Sequence, residues 1–315
     1  MARRRAMTMD APTRFSTAGF LRLVKVAGIL LFALVVVLVV IAGYLTFRIL
    51  RARNLIENVT PQSSFQTNYE NLSFKDRRGR EHVGWLLVGL RGAPVILLCH
   101  GHESNRSEML SLGTVLRQNH FNVYLFNFDA GRANPMFSDL GVSEVDVILD
   151  AIAFITEQPG VNPNRVGLFG ANSGAFAALA AAQQNQHVRA LALDSVYSHP
   201  RQMFESQVEK FLGGSSSTFR ILADLEFRLV TLGRKPPPVR EELGKLDGVP
   251  KLFISGRDSP LLAEATETLY EQSPQPKRLL VLEHSLSALA TGAEKKEYEH
   301  QVLTFFLHNL PLRAD

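Results

Sequence analysis

The pattern of apolar and polar positions divides the chain in two. From Val26 to Phe47 run 22 residues without a charged side chain. At about 1.5 Å per residue, a helix of that length spans roughly 33 Å, enough for the hydrocarbon core of a bilayer. Residues 48–66 are polar and irregular and read as a linker. From residue 67 onward, short apolar runs alternate with stretches of helical period. Tyr69–Lys75 and His82–Val88 predict two strands around the turn Asp76-Arg77-Arg78-Gly79. Val95–His100 is a continuous apolar strand, the pattern of a strand covered on both faces. A helix is expected over about Glu108–Gln118 and a strand over Asn122–Phe128. Ser143–Thr156 places Val145, Ile148, Leu149, Ile152 and Ile155 at helical spacing. Arg165–Phe169 reads as a buried strand and Ala175–Ala182 as a tightly packed small-residue helix. His187–Leu193, Leu252–Ser255 and Arg278–Leu282 complete the strands. A helix near Leu261–Gln272 lies between the last two, and Tyr298–His308 closes the chain as a helix.

This alternation predicts an α/β fold over residues 67–311. Its sheet is mostly parallel and doubly wound, with a two-stranded antiparallel start, and one N-terminal transmembrane helix precedes it. The interval of about 195–248 is too long for a plain crossover. It predicts a small helical cap, with helical stretches around Gln202–Leu212 and Thr218–Thr231 and then the rigid run Pro236–Pro238.

Charge alters how the N-terminal segment is read. Residues 1–53 carry nine Lys or Arg and one acid, a net +8, and the remainder carries 25 basic and 29 acidic side chains, a net −4. The sequence pI of about 9.3 therefore belongs to the flanks of the apolar run, and no nucleic-acid partner is expected. Arg3, Arg4, Arg5, Arg14, Arg22 and Lys25 precede the run, whereas Arg48, Arg51 and Arg53 follow it. The excess lies on the N-terminal side of the run, in the basic segment of residues 1–25, and predicts the orientation of a single-pass protein. Its N-terminus would be cytoplasmic and its body on the non-cytoplasmic side. A cleaved signal peptide is the alternative, although its apolar region usually has about 7–15 residues. The single cysteine, Cys99, excludes an internal disulfide and a thiolate zinc cluster, and it reads as a small hydrophobe on a buried strand. His100 and His102 have no carboxylate or cysteine set to complete a metal site, and no cofactor is expected.

The motif that carries chemistry is Gly170-Ala171-Asn172-Ser173-Gly174. Between a buried strand and a small-residue helix, G-x-x-x-G has the form of a turn that displays a nucleophile. Its central residue, Asn172, has no ionisable nucleophilic atom. Positive φ, which such a turn demands, is more accessible to Asn than to other non-glycine residues, so the turn can outlive the chemistry. A second motif, His100-Gly101-His102-Glu103-Ser104-Asn105-Arg106, starts where the strand Val95–His100 ends.

These two motifs and the strand order resemble the α/β-hydrolase superfamily over roughly residues 67–311, most closely its serine aminopeptidase and lysophospholipase-like branch. The resemblance implies an oxyanion site made by the backbone N–H groups of His102 and Ser173. It places Asn172 at the nucleophile, Ser259 of Gly256-Arg257-Asp258-Ser259-Pro260 at the acid, and Ser285 at the base. The last match aligns Ala288-Leu289-Ala290-Thr291 with the small-residue stretch after the family's histidine. The family's D-x-R-G-x-G loop is altered to Asn127-Phe128-Asp129-Ala130-Gly131-Arg132. A hydroxyl needs a His to take its proton and a carboxylate to orient that His, and Asn172, Ser259 and Ser285 do none of this. The expectation is a non-catalytic, membrane-anchored member that binds a small-molecule or protein ligand or serves a structural role. The alternative is an active serine hydrolase using residues one position away, Ser173, Asp258 and His284. These occur in the chain order nucleophile, acid, base.

Overall fold

The computed structural model describes residues 17–51, 56–64, 68–128, 137–212, 221, 225, 227–228, 235–289 and 292–312. Asp129–Arg132, Ala290, Thr291, most of the expected helix 218–231 and the basic residues Arg3, Arg4, Arg5, Arg14 and Arg53 lie outside this set. The first helix, α1, spans Thr17–Leu50. It is longer than the uncharged run and includes the first three residues read as linker. It is long and apolar enough to cross a membrane, a test a signal sequence also passes.

The body is one eight-stranded sheet. Its strands are β1 (Tyr69–Lys75), β2 (Glu81–Leu87), β3 (Ala93–Cys99), β4 (Asn122–Phe126), β5 (Val161–Ala171), β6 (Val188–Asp194), β7 (Lys251–Gly256) and β8 (Lys277–Leu282). They lie in the order β1-β2-β4-β3-β5-β6-β7-β8. β1, β2 and β4 pair antiparallel in succession, and every pair from β4 to β8 is parallel. β5 begins earlier than expected and carries a register irregularity between Val166 and Gly167. The polar start Val161–Arg165 hid it from a reading based on apolar runs.

Helices cover both faces. They are α2 (Leu110–Gln118), α3 (Glu144–Thr156), α4 (Ser173–Ala182), α5 (Pro200–Leu212), α6 (Pro260–Gln272) and α7 (Ala293–Asn309). Alternation along β3 shows why a continuous apolar run was needed. Val95, Leu97 and Cys99 join one cluster with α3 and α4, whereas Ile96 and Leu98 join another with α2 and α7. Cys99 is fully buried, and burial pushes its thiol far above its ordinary range. In the cap interval, α5 and a short 3₁₀ turn at Leu243–Leu246 are described.

Candidate functional site

β5 ends at Ala171 and α4 begins at Ser173, so Asn172 alone makes the turn. Its backbone has φ +38° and ψ −104°, a conformation costly to most L-residues. The two glycines allow strand and helix to meet at this turn. A Cβ on Gly170 would lie 2.5 Å from the Gly174 carbonyl oxygen, and one on Gly174 would clash with the carbonyl oxygens of Cys99 and His100. The main chain of Asn172 is fixed on both sides. Its N–H donates to the Asp194 carbonyl at 2.8 Å, and its carbonyl accepts the first helical bond, from the Phe176 N–H at 3.0 Å.

The Asn172 side chain turns back into the site. Its Oδ1 accepts from the N–H of His102 at 2.7 Å and from the N–H of Ser173 at 2.6 Å. These are the two donors that the hydrolase resemblance assigns to an oxyanion. Gly101 makes room, since a Cβ there would collide with the Asn172 amide. The two N–H groups therefore point at one place, and the chain's own amide oxygen fills it.

The loop His100–Arg106 is braced from three directions. The His102 ring donates through Nε2 to the Ile49 carbonyl at 2.8 Å, tying the loop to the last turn of α1. The His100 ring donates through Nδ1 to the Gly101 carbonyl and accepts at Nε2 from the Phe128 N–H. Burial lowers its pKa to about 4, so the ring is neutral at pH 7. Burial lowers the His102 pKa too. Arg106 lies 3.8 Å over the Trp85 ring and makes a two-point ion pair with Glu57, whose carboxylate also accepts from Asn127. Burial works against the Glu57 charge, but the bonds from Arg106 and Asn127 hold its pKa below the ordinary value.

At the other side of the site, the carboxylate of Asp258 receives Ser285. Oδ1 accepts from the Ser285 N–H at 2.6 Å and Oδ2 from its hydroxyl at 2.9 Å. Ser259 instead stands just before α6 without a side-chain capping bond, and its hydroxyl meets that of Ser206 at 2.8 Å. His284 faces solvent, with Nδ1 3.0 Å from Glu294 Oε1, and this hydrogen bond and charge raise its pKa. Ser173 is buried at the first position of α4. Among the described residues, no hydrogen bond joins Ser173 to His284 or His284 to Asp258. Thus Asp258 meets Ser285, and Asn172 meets the N–H groups of His102 and Ser173.

Asp194, at the end of β6, connects the two halves. Its carbonyl holds Asn172, and its buried carboxylate accepts from Leu286 N–H, Tyr298 hydroxyl and Ser195 hydroxyl at 2.7–2.8 Å. Burial raises its pKa, while the three hydrogen bonds act in the opposite direction. Tyr298 lies 104 residues away along the chain, so no local signal could have revealed the pair.

A cavity of about 480 Å³ opens over the turn, lined by Gly101, His102, Asn172, Lys210, Leu286 and Lys295 among others. Its size suits a small molecule. Among the described residues, no group of three His, Cys, Asp or Glu side chains is arranged to hold a metal.

No family model matches the chain. The uncharacterized protein YfhR of Escherichia coli O157:H7 is 24% identical over 251 residues, which cover 76% of this chain and 81% of that protein. The thiohydrolase aneE of Aspergillus aculeatus is 24% identical over 128 residues, 39% of this chain and 40% of that protein. Among solved structures, an esterase of Pyrococcus furiosus superposes with a TM-score of 0.67 at 17% identity, covering 83% of this chain and 98% of the esterase. A dienelactone hydrolase of Anabaena variabilis superposes with a TM-score of 0.57 at 18% identity, covering 78% and 99%. Sheet order, elbow and these superpositions agree: the chain has the fold of the α/β-hydrolase superfamily.

Proposed function

We propose that this is a membrane-anchored α/β-hydrolase-fold protein that binds a ligand, or serves a structural role, without hydrolysing it. One observation carries the reading. The amide oxygen of Asn172 accepts from both His102 N–H and Ser173 N–H. Hydrolysis of an acyl group needs a nucleophile at the turn and free donors for the oxyanion that forms. Asn172 supplies no nucleophile and occupies the donors. Ser285, at the base position, can accept no proton from a nucleophile in the manner of an imidazole. The cavity over Asn172 remains as the binding site for a small molecule or part of a protein. In this reading, α1 anchors the chain in a single pass, with the body on the non-cytoplasmic side.

Full-length protein in detergent micelles, exposed to a fluorophosphonate probe and to short-chain nitrophenyl esters, tests the proposal. The expected result is neither labelling nor turnover. The rival reading draws on the esterase and thiohydrolase likenesses and uses Ser173, Asp258 and His284. Labelling at Ser173, abolished by Ser173→Ala, would establish that reading instead.

A further inference from the structure

Helix α1 does not leave the domain at its last residue; it lies along the domain's flank. Ala42, Leu45, Thr46, Ile49 and Leu50 are buried, at the spacing i, i+3, i+4, i+7 and i+8 of one helical face. The end of this stretch is tied down. Ile49 and Leu50 give their carbonyls to the His102 ring and the Ser138 N–H, and Phe47 packs edge-on to Phe137. The opposite face stays exposed and apolar, with Tyr44 62% and Phe47 40% accessible.

The seat shortens what is free to cross a bilayer. Between Lys25 and the first buried residue, Ala42, lie the 16 residues Val26–Ile41. At about 1.5 Å per residue they span roughly 24 Å, about 6 Å less than a hydrocarbon core of about 30 Å. The deficit falls where the domain flanks the helix. Phe211, at the end of α5, is 45% exposed there, and the Arg48 guanidinium lies 5.9 Å from its ring centroid. Aromatic rings beside basic side chains are the composition of a protein surface at headgroup level. Tyr44, Phe47, Phe211, Arg48, Arg51 and Lys210 form such a belt around the helix exit.

We infer that the flank of the domain around the end of α1 and α5 is a membrane-contact surface, seated in the headgroup layer of the bilayer. The inference rests on α1 being a membrane anchor, and it goes further by assigning a surface of the folded domain to the lipid. It also places the cavity beside that layer, because His102, which holds Ile49, and Lys210, which precedes Phe211, both line the cavity.

Depth-dependent quenching tests it in the full chain. The only native tryptophan, Trp85, is buried and supplies a constant background. Phe211→Trp, Val35→Trp and Leu307→Trp each change an exposed position. Each variant is reconstituted into phosphatidylcholine vesicles containing phosphatidylglycerol, with bromines either near the headgroup or near the chain ends. The expected result is that shallow bromines remove roughly half or more of the emission added by Phe211→Trp. Deep bromines quench Val35→Trp, and neither quenches Leu307→Trp. If Phe211→Trp behaves like Leu307→Trp while Val35→Trp is quenched, the helix spans without seating the domain, with Arg22 and Lys25 snorkelling to complete the span. That result overturns the inference and leaves the anchor intact. An unquenched Val35→Trp overturns the anchor and the inference together.

Discussion

The side-chain oxygen of Asn172 lies 2.7 Å from the main-chain nitrogen of His102 and accepts a hydrogen bond from its N–H, although the two residues are 70 positions apart. The residue at the apex of the β5–α4 turn is thus an internal acceptor for the main-chain donors beside it. The bond, shared with Ser173 N–H, gives two buried donors a partner where a substrate oxygen would otherwise be needed.

Removing that ligand should cost stability. Asn172→Ala leaves two N–H groups without their acceptor and forces Ala to hold φ +38°. The expected loss is about 2–4 kcal/mol. Asn172→Asp keeps an acceptor of the same shape at the N-terminus of α4 and should stay within about 1 kcal/mol. Chemical denaturation of the three proteins in the same detergent measures both differences, and equal stability of Asn172→Ala and the parent chain would contradict the bonding scheme.

Two substitutions should restore hydrolytic chemistry. Asp258 already grips Ser285 through both carboxylate oxygens. Asn172→Ser with Ser285→His supplies a nucleophile and a base, and it frees the N–H groups of His102 and Ser173. Fluorophosphonate labelling of this double variant, absent from the parent, is expected. Adding Asp258→Asn should then lower esterase turnover by about 10³–10⁴-fold, the scale for losing the carboxylate that orients a catalytic His. Turnover unaffected by Asp258→Asn would show that another group orients the new imidazole.

Stability should fall on acidification between pH 6.5 and 4. His100 is buried and neutral, with a pKa lowered to about 4 by desolvation, and His102 is lowered for the same reason. Between those pH values the unfolded chain binds more protons than the folded one, so stability present above pH 6.5 is lost as pH drops toward 4. The share from His100 is on the order of 3 kcal/mol, taking about 1.4 kcal/mol for each pH unit of displacement. Tm measured across this range should show the slope, and His100→Gln should lessen it. An unchanged slope in the variant would assign the effect elsewhere.

The contact between α1 and the His100–Arg106 loop should be separable from the fold. His102→Ala removes the donor to the Ile49 carbonyl while keeping the His102 N–H that bonds Asn172. About 1–2 kcal/mol of local stability should be lost. Limited proteolysis near residue 51 should become faster while the Tm of the body changes by only a few degrees. Equal cleavage rates would mean that the buried face at Ala42, Leu45 and Leu50 holds α1 without the histidine.

Most of the fold was legible because its signals are local. The apolar run of β3 and the spacing of Val145, Ile148 and Ile152 in α3 are properties of neighbouring residues. β5 was legible only in its second half, since its polar start has no pattern of its own. In the site, Gly170, Asn172 and Gly174 announced the turn because its steric demands fall on those positions themselves. Asp194 did not announce its bond to Tyr298, because only the folded sheet brings them together.

By itself, the sequence determined the alternation of strands and helices, the length of the apolar segment, the glycine-framed turn and the absence of a nucleophile at its apex. Each follows from side-chain size, charge or periodicity within a few residues. The tertiary structure decided where the side chains point. A one-residue difference around a tight turn re-aims a side chain by a large angle. Hence Asp258 faces Ser285, Ser259 turns to Ser206, and His284 turns outward to Glu294. Only convergence of β3, β5 and the end of α1 could show Asn172 filling the donor pair of His102 and Ser173.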